Sequence, residues 1–284
     1  MQKALLLTIM PELRLHYNEL KAYISDIYQN QLLKRTIRKW TMRLTVTGAL
    51  LVLLLLGILL NPSILYAHST QVANYSVYHQ KELDPHFLLR LTKCNELLQA
   101  SELHDSDYQM DLCLDDGSLY PALMKALRGL AFAWGFSNKI VLQGVSNAET
   151  NKQELNGYYW NLEQLLAHEA IHCYQYHSFG LWNSNPIAGH PDWKWEGYRE
   201  YISRQSEDQG DLCNNLKQLL NCHEEEWFVA FKDGTIAPKN YFADWLLVTY
   251  AMDVKGFNFH ELIKDSTDKE SFETEMWQWY KKQE

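Results

Sequence analysis

Residues 161–180 read NLEQLLAHEAIHCYQYHSFG and predict one well-delimited helix. Asn161 is a favourable N-cap, and the side chain of Gln164, three positions later, can reach back to complete a capping box. Apolar residues recur without proline or glycine until the final glycine, so the helix ends there or one turn earlier. Residues four apart share a face of such a helix, which brings the rings of His168 and His172 side by side.

The residues HEAIH at 168–172 form an H-E-x-x-H pattern. Both imidazoles can bind one metal ion from the shared face, and Glu169 then points toward a water on that metal. A histidine pair that leaves a position open for water is typical of catalytic zinc, so we predict Zn²⁺ as the cofactor. The alternative is a pair of partly buried histidines on an ordinary amphipathic helix, because a five-residue match also arises by chance.

Residues 193–202, WKWEGYREYI, predict a second helix with two acids on one face. Glu196 and Glu200 are four apart, and like charges at that spacing disfavour a helix unless a cation lies opposite them. A zinc site accounts for both: Glu196 is the predicted third ligand, and Glu200 accepts the N–H of a ligand imidazole. The alternative is a solvated acidic face that pairs with Arg199 or Arg204.

Two further histidines lie near the motif. The metzincin class needs a glycine and a histidine where this chain has Gln175 and Ser178, which excludes that class. His177 lies five residues past the motif and therefore off the shared helical face. His190, in a Gly-His-Pro turn, is the rival of Glu196 for the third ligand position.

These residues predict hydrolysis of an amide bond. Zinc lowers the pKa of its water toward ~7 and polarises the substrate carbonyl. Glu169 is the predicted general base, which takes the proton of the water and passes it to the leaving amine. The oxyanion also needs a hydrogen-bond donor, and we select Tyr241. The other candidates for this donor are Tyr198, Tyr201 and His223.

Taken together, HEAIH at 168–172 and EGYRE at 196–200 resemble the gluzincin group of zinc metallopeptidases, the thermolysin-like clan. In that group a second helix supplies a glutamate ligand, and an acid four residues later holds the first histidine. The resemblance implies that Glu196 binds the metal, that Glu200 orients His168, and that the fold is zincin-like. It implies a peptide or protein substrate, and it covers residues 160–204.

The charge of the chain is divided unevenly. The net charge of the 284 residues is −9, yet residues 1–43 hold eight Lys/Arg against three acids. This segment therefore carries +5 and the remainder −14. An acidic globular part argues against nucleic acid as a partner.

An uncharged, almost wholly apolar run at 44–60 predicts a membrane span, for which residues 44–67 provide the ~20 residues required. Five basic residues precede it, so the positive-inside rule places the N-terminus in the cytoplasm and the rest outside, periplasmic or extracellular. We predict an uncleaved signal anchor. The alternative is a signal peptide starting at Met42 and cleaved near Ala67, although Leu65 at the −3 position is not small.

The predicted organisation has four parts: a cytoplasmic basic segment at 1–43, a transmembrane signal anchor at 44–67, a polar linker at 68–81 and a zincin-like domain at 82–284. The predicted fold class is α+β, helix-rich with a small sheet. Strands are predicted at 108–114 and 139–143, and the second could be a core strand or a sheet edge that binds a peptide. Helices are predicted near 82–103, 121–130, 161–180, 193–202, 211–223, 241–253 and 268–280.

Five cysteines suit an exported protein. Cys94 with Cys113, and Cys213 with Cys222, are spaced to close short disulfide loops, while Cys173 is left over.

The predicted function is that of a membrane-anchored zinc metallopeptidase. The alternatives are a non-catalytic membrane-anchored binding domain on a zincin scaffold and a zinc amidase that acts on cell-wall peptides.

Overall fold

The computed structural model describes residues 16–26, 28–205, 209–223 and 225–283. The chain separates into two compact units, Met1–Asn61 and Pro62–Glu284. The globular unit therefore begins about 20 residues before the predicted domain boundary at residue 82.

The first unit contains helix α1, Gln31–Leu60, preceded by helical residues at 16–26. Within α1, Leu33–Leu60 is long and apolar enough to cross a membrane, with a mean hydropathy of 2.3 in its most apolar window. The predicted span at 44–67 extended too far, because Pro62 lacks the backbone N–H that would continue the helix. Residues 1–15 of the predicted basic segment lie outside the described residues.

The second unit contains a five-stranded sheet with strand order β1-β2-β3-β5-β4. Strands β2, β3 and β5 are parallel, whereas β1 and β4 pair antiparallel at the two edges. The three inner strands are largely buried, as expected where both faces of a parallel sheet are covered. The five strands are His68–Val72 (β1), Tyr75–His79 (β2), Met110–Cys113 (β3), Ala133–Phe136 (β4) and Lys139–Leu142 (β5).

The predicted linker at 68–81 is wrong, because its residues form the hairpin β1–β2. Tyr75, Val77 and His79 are buried and alternate with two half-buried residues, the period-two pattern of a strand. Val77 pairs with Leu112 of β3, so the hairpin is part of the sheet.

Strand β5 is predicted by the sequence and lies inside the sheet, between β3 and β4. Of the two alternatives for β5, the core strand is therefore the one observed. The edge position belongs to β4, a strand that the sequence does not predict. Five further strands form two small antiparallel sheets. They are Val145–Asn147 (β6), Lys152–Leu155 (β7), Tyr158–Asn161 (β8), Phe228–Ala230 (β9) and Ile236–Pro238 (β10).

The seven predicted helices are all present, with ends that shift by a few residues. The helices of the second unit are Pro85–Leu98 (α2), Leu119–Arg128 (α3), Leu162–Phe179 (α4), Asp192–Ser203 (α5), Leu212–Asn221 (α6), Lys239–Thr249 (α7), Phe259–Lys264 (α8) and Lys269–Tyr280 (α9). A π-helical turn, Tyr250–Val254, extends α7. The architecture is thus mixed helix and sheet.

Two glycines allow the elements around α4 and α5 to approach closely. A Cβ atom at Gly135 of β4 would lie 2.6 Å from Cβ of His172 and still closer to the carbonyl oxygen of Glu169. A Cβ atom at Gly197 of α5 would lie 2.6 Å from the carbonyl oxygen of Asp244 on α7. Strand β4 therefore packs directly against α4, and α5 packs directly against α7.

The predicted disulfides are wrong, since none of the five cysteines, each within the described residues, forms a disulfide. Cys213 and Cys222 lie near opposite ends of α6, and nine residues of helix separate their Cα atoms by about 13 Å, well beyond disulfide reach. Sγ of Cys94 instead contacts Oη of Tyr75 at 3.7 Å.

Candidate metal centre

Helix α4 begins where the sequence predicts. Oδ1 of Asn161 accepts the backbone N–H of Gln164 at 3.1 Å, which is the predicted N-cap. The Gln164 side chain does not complete a capping box: it donates to Oε1 of Gln209 at 2.7 Å and accepts from Nη1 of Arg204 at 3.0 Å. Gln164 thus links the start of the motif helix to the end of α5.

The structure brings His168, His172 and Glu196 together. Oε2 of Glu196 lies 3.6 Å from Nε2 of His168 and 3.9 Å from Nε2 of His172. Ligand atoms of His168, Glu169 and His172 also lie within 4.8 Å of one another. Two imidazole nitrogens and carboxylate oxygens therefore converge on one point between α4 and α5, a donor set that suits zinc.

Glu200 lies on the other side of the His168 ring. Its Oε1 is 2.9 Å from Nδ1 of His168, although the angle is not that of a formed hydrogen bond. Its Oε2 accepts from Nε of Arg204. Burial raises the pKa of Glu200, but Arg204 and His168 outweigh burial and lower this pKa to about 2.

His168 is placed between two carboxylates. Burial lowers the pKa of its ring, but Glu196 and Glu200 outweigh burial and raise this pKa to about 10. The ring therefore holds a proton at neutral pH in the protein without metal. A metal ion would displace that proton, because metal binding requires a neutral imidazole.

Glu169 carries an unpaired buried oxygen. The residue is 5% exposed, and among the described residues its Oε2 has no hydrogen-bond partner. This oxygen lies 3.8 Å from Nε2 of His172. Burial raises the pKa of Glu169, against the opposing effects of His168 and Arg199. A buried carboxylate oxygen without a partner is rare and marks the position where a water or cation would satisfy it.

Arg199 is almost fully buried beside the proposed ligands. Its Nε donates to Oε1 of Gln175 at 2.6 Å, and its Nη1 donates to Nε2 of His172 at 2.9 Å. Nη1 also forms an ion pair with Oε1 of Glu196. The pairing of Glu196 and Glu200 with arginines, which was the alternative to ligand roles, is thus present, but on a buried face rather than a solvated one.

Arg199 sets the charge state of its two neighbours. The pKa of His172 is well below its ordinary value, first because the ring is buried and then because the Arg199 charge is close. Burial would raise the pKa of Glu196, but Arg199 and His168 outweigh burial and lower it strongly. His172 is therefore neutral and Glu196 ionised at pH 7, which are the forms that bind a metal.

Tyr241, on α7, lies beside His168 with 6.1 Å between the ring centroids. The other tyrosine candidates are engaged elsewhere: Oη of Tyr198 bonds to Oγ of Ser101 at 2.9 Å, and Oη of Tyr201 donates to Asp253 at 2.7 Å. Of the three tyrosine candidates, Tyr241 is therefore the one beside His168. Burial raises its pKa, so its hydroxyl keeps its proton at neutral pH.

The rival third ligand, His190, lines the same polar cavity as the histidine pair but is engaged in other contacts. Its Nε2 is 3.0 Å from the carbonyl oxygen of Asn183, and its ring stacks on Trp195 with 4.8 Å between centroids. His177 is held by Oδ2 of Asp105 at 3.0 Å. Of the two rivals, Glu196 has a carboxylate oxygen within 4 Å of both imidazoles.

A cleft runs across α4 at this point and contains two cavities. One, of about 390 Å³, is mainly apolar, and the other, of about 450 Å³, is more polar. His168, Glu169 and Tyr241 line both, so the candidate metal centre lies between the two cavities. Ala133 of the edge strand β4 also lines both, and β4 therefore borders the cleft.

The roles of Gly135, Gln175 and Arg199 are not predicted by the sequence. No local pattern marks Gly135, because the close approach of α4 appears only once β4 is packed. Arg199 carried a signal: it lies three residues after Glu196 and therefore on a neighbouring helical position.

No protein-family model matches the chain, and no curated protein is similar to it. The geometry of the site is therefore the basis for assigning a function.

Proposed function

We propose that this protein is a membrane-anchored zinc metallopeptidase that hydrolyses peptide bonds, as the resemblance to gluzincins implies. One observation carries the proposal: Oε2 of Glu196, from the second helix, lies 3.6 and 3.9 Å from the Nε2 atoms of His168 and His172. A chance H-E-x-x-H helix would have no reason to face a carboxylate at that point.

His168, His172 and Glu196 would hold the metal, and Glu200 would keep the ring of His168 oriented. Bound there, zinc would supply Lewis acidity toward a substrate carbonyl and a lower pKa for a water. The fit is supported by Oε2 of Glu169, which has no hydrogen-bond partner in the described part of the chain and lies 3.8 Å from Nε2 of His172.

Glu169 is the general base of the proposal. Burial raises the pKa of its carboxyl, which brings the group closer to the neutral range where a base works best. After accepting a proton it would deliver that proton to the leaving amine. Tyr241 keeps its hydroxyl proton and would donate a hydrogen bond to the developing oxyanion.

The cleft supports a peptide as substrate. The centre lies between two cavities, so a chain can extend to both sides of the scissile bond. Strand β4 is a sheet edge along the cleft and can pair with an extended peptide. The apolar cavity favours a bulky apolar side chain, because it is lined by Leu130, Phe132, Tyr158, Trp160 and Trp227.

The proposed location of the protein rests on α1. This helix is long and apolar enough to span a membrane, and the basic residues precede its most apolar part. We propose a single-pass anchor with the N-terminus in the cytoplasm and the catalytic unit exported. Accessibility of a tag placed at either end to protease in sealed spheroplasts checks this orientation.

A non-catalytic binding domain is the second candidate. The observation that favours it is the hydrogen bond from Nη1 of Arg199 to Nε2 of His172, which occupies an atom that the metal would need. Intact Glu169 argues against it, because a binding scaffold does not require a base at that position.

The decisive experiment uses the full-length chain in detergent micelles. Elemental mass spectrometry should find about one zinc per chain, and the His168→Ala variant should lose it. A library of quenched peptides should then be cleaved by the wild-type protein and not by Glu169→Gln. Zinc without cleavage of any peptide would favour the binding domain, and no zinc after reconstitution would remove the proposed centre.

A further inference from the structure

One nitrogen of Arg199 contacts two of the three proposed metal ligands. Nη1 donates to Nε2 of His172 at 2.9 Å and pairs with Oε1 of Glu196. The guanidinium is fixed from behind, because its Nε donates to Oε1 of Gln175 at 2.6 Å. Gln175 in turn donates from Nε2 to the carbonyl oxygen of Trp195 at 3.1 Å.

These two contacts differ in their compatibility with a metal. A neutral imidazole nitrogen has one lone pair, so Nε2 of His172 either accepts a hydrogen bond or binds a metal. Glu196 has two oxygens: Oε1 faces Arg199, while Oε2 faces the histidine pair. A metal on this site therefore requires the bond to His172 to break, whereas the ion pair with Glu196 can persist.

We infer that Arg199 is a positioning residue that competes with the metal for His172 while it holds Glu196 in place. The inference rests on the metal centre of the proposed function. It adds that metal binding must break a hydrogen bond made by Arg199, a residue of α5. In the protein without metal, Arg199 satisfies two buried ligand atoms and keeps them ordered. When a cation binds, the guanidinium gives up one of these contacts and remains as a fixed positive charge nearby.

The contacts that Arg199 makes with the ligands and its positive charge both oppose zinc binding in the natural chain. Truncating Arg199 leaves the half-buried carboxylate of Glu196 without its cation, which destabilises the protein without metal, and it removes the repulsion between two cations in a poorly solvated site. A hydrogen bond to a charged group has an energy that corresponds to about 10- to 100-fold in an equilibrium constant. We therefore expect tighter zinc binding by that factor once Arg199 is removed.

The test measures zinc affinity of the full-length chain in detergent by competition with a chromophoric chelator. Arg199→Met, which keeps an apolar stem of similar length, should bind zinc about 10- to 100-fold more tightly than wild type. Arg199→Lys should give a smaller gain, because a lysine ammonium lacks the planar fork that bonds Gln175 and His172 together.

Arg90→Met is the matched control. Like Arg199, Arg90 pairs with a glutamate, here Glu163 of α4 at 2.8 Å, but Arg90 is only half-buried and is absent from the lining of both cleft cavities. Its removal should leave zinc affinity unchanged. Thermal unfolding with and without zinc gives a second readout: Arg199→Met should unfold at a lower temperature than wild type without metal and gain more from zinc.

The outcomes separate the inference from the proposed function. Unchanged or weaker zinc binding by Arg199→Met, with wild type binding zinc, overturns the inference alone and means that Arg199 only orients Glu196. No zinc in any of these proteins overturns the metal centre and the inference together. Zinc bound by Arg199→Met but not by wild type supports the competition and contradicts peptidase activity of the natural chain. If Arg199→Met does not fold, Arg199→Lys decides by the same criteria.

Discussion

Glu200 contacts His168 from the side opposite Glu196: its Oε1 lies 2.9 Å from Nδ1 of the ring, whereas Glu196 lies 3.6 Å from Nε2. Both carboxylates come from α5 and are one helical turn apart. One helix thus places a carboxylate on each side of the His168 ring. A carboxylate on the far nitrogen of a ligand histidine is the usual way in which proteins fix the ring and raise its basicity.

Glu200→Gln should therefore weaken zinc binding by roughly 10- to 100-fold without unfolding the protein. The amide keeps the shape of the side chain but loses the charge that holds the ring. Competition with a chelator measures the affinity. Glu163→Gln is the control, because Glu163 is a half-buried glutamate that pairs with Arg90 and not with His168. Equal losses in the two variants would show a general effect of charge removal.

Glu169→Gln should separate metal binding from catalysis. Its carboxylate is placed as a base, and a general base contributes about 10²- to 10⁴-fold to a rate. We expect the variant to retain zinc and to lose turnover of a cleaved peptide by that factor. Zinc content and kcat are measured on the same preparation. Loss of zinc together with activity would mean that Glu169 is a ligand and not the base.

The pair formed by His168 and Glu200 predicts a pH window of stability for the protein without metal. The Glu200 pKa is lowered from 4.5 to about 2, so its contribution is present above pH 4.5 and lost as the pH falls through the lowered value. The His168 pKa is raised from 6.5 to about 10, so its contribution is present below pH 6.5 and lost as the pH rises through the raised value.

The pair should therefore stabilise the protein most between pH 4.5 and 6.5. The measurement is the difference in unfolding free energy between wild type and Glu200→Gln, from urea titrations in chelator at several pH values. Arg204 also lowers the Glu200 pKa and stays charged in this range, so a difference that does not fall as the pH rises from 6.5 to 10 would contradict an ion pair between Glu200 and His168.

Gly135→Ala should disturb the centre through packing. The added methyl group would lie 2.6 Å from Cβ of His172, so β4 and α4 must move apart. Overpacking of this kind destabilises a protein by about 1–3 kcal/mol. The free energy of unfolding, measured by chemical denaturation, and the zinc affinity should both decline. Gly57→Ala is the control, because a methyl group there meets no atom within 4 Å. An unchanged Gly135→Ala protein would mean that the strand and helix are not packed this closely in solution.

The helices of the site were predictable because their signals are local. Asn161 marks the start of α4, Gly180 marks its end, and spacing alone places His168 and His172 on one face. Glu196 and Glu200 were identified for the same reason. The hairpin β1–β2 was missed, since its polar residues resemble a linker until Val77 is paired with β3.

The contacts that modify the site depend on long-range packing, which no local pattern shows. Arg199 reaches His172 across 27 residues, and Gly135 meets α4 through the sheet. The cysteine pairs were predicted from their spacing in sequence. The α6 helix, however, holds Cys213 and Cys222 apart.

Tyr241→Phe tests the donor for the oxyanion. Tyr241 lines both cavities of the cleft, and its ring lies 6.1 Å from that of His168. Removal of one donor of this kind lowers kcat by about 10²- to 10³-fold, because the bond forms mainly in the transition state. We therefore expect a fall in kcat with little change in KM and with zinc content retained. Steady-state kinetics on a cleaved peptide measures both constants.

Tyr201→Phe is the matched control for that variant. The Tyr201 hydroxyl donates to Asp253 at 2.7 Å, and Tyr201 does not line either cavity. Removal of this hydroxyl should therefore leave kcat unchanged. If Tyr241→Phe is as active as Tyr201→Phe, the oxyanion is stabilised by another donor of the cleft. Arg199 would then be the next candidate, because its Nη1 already faces the histidine pair.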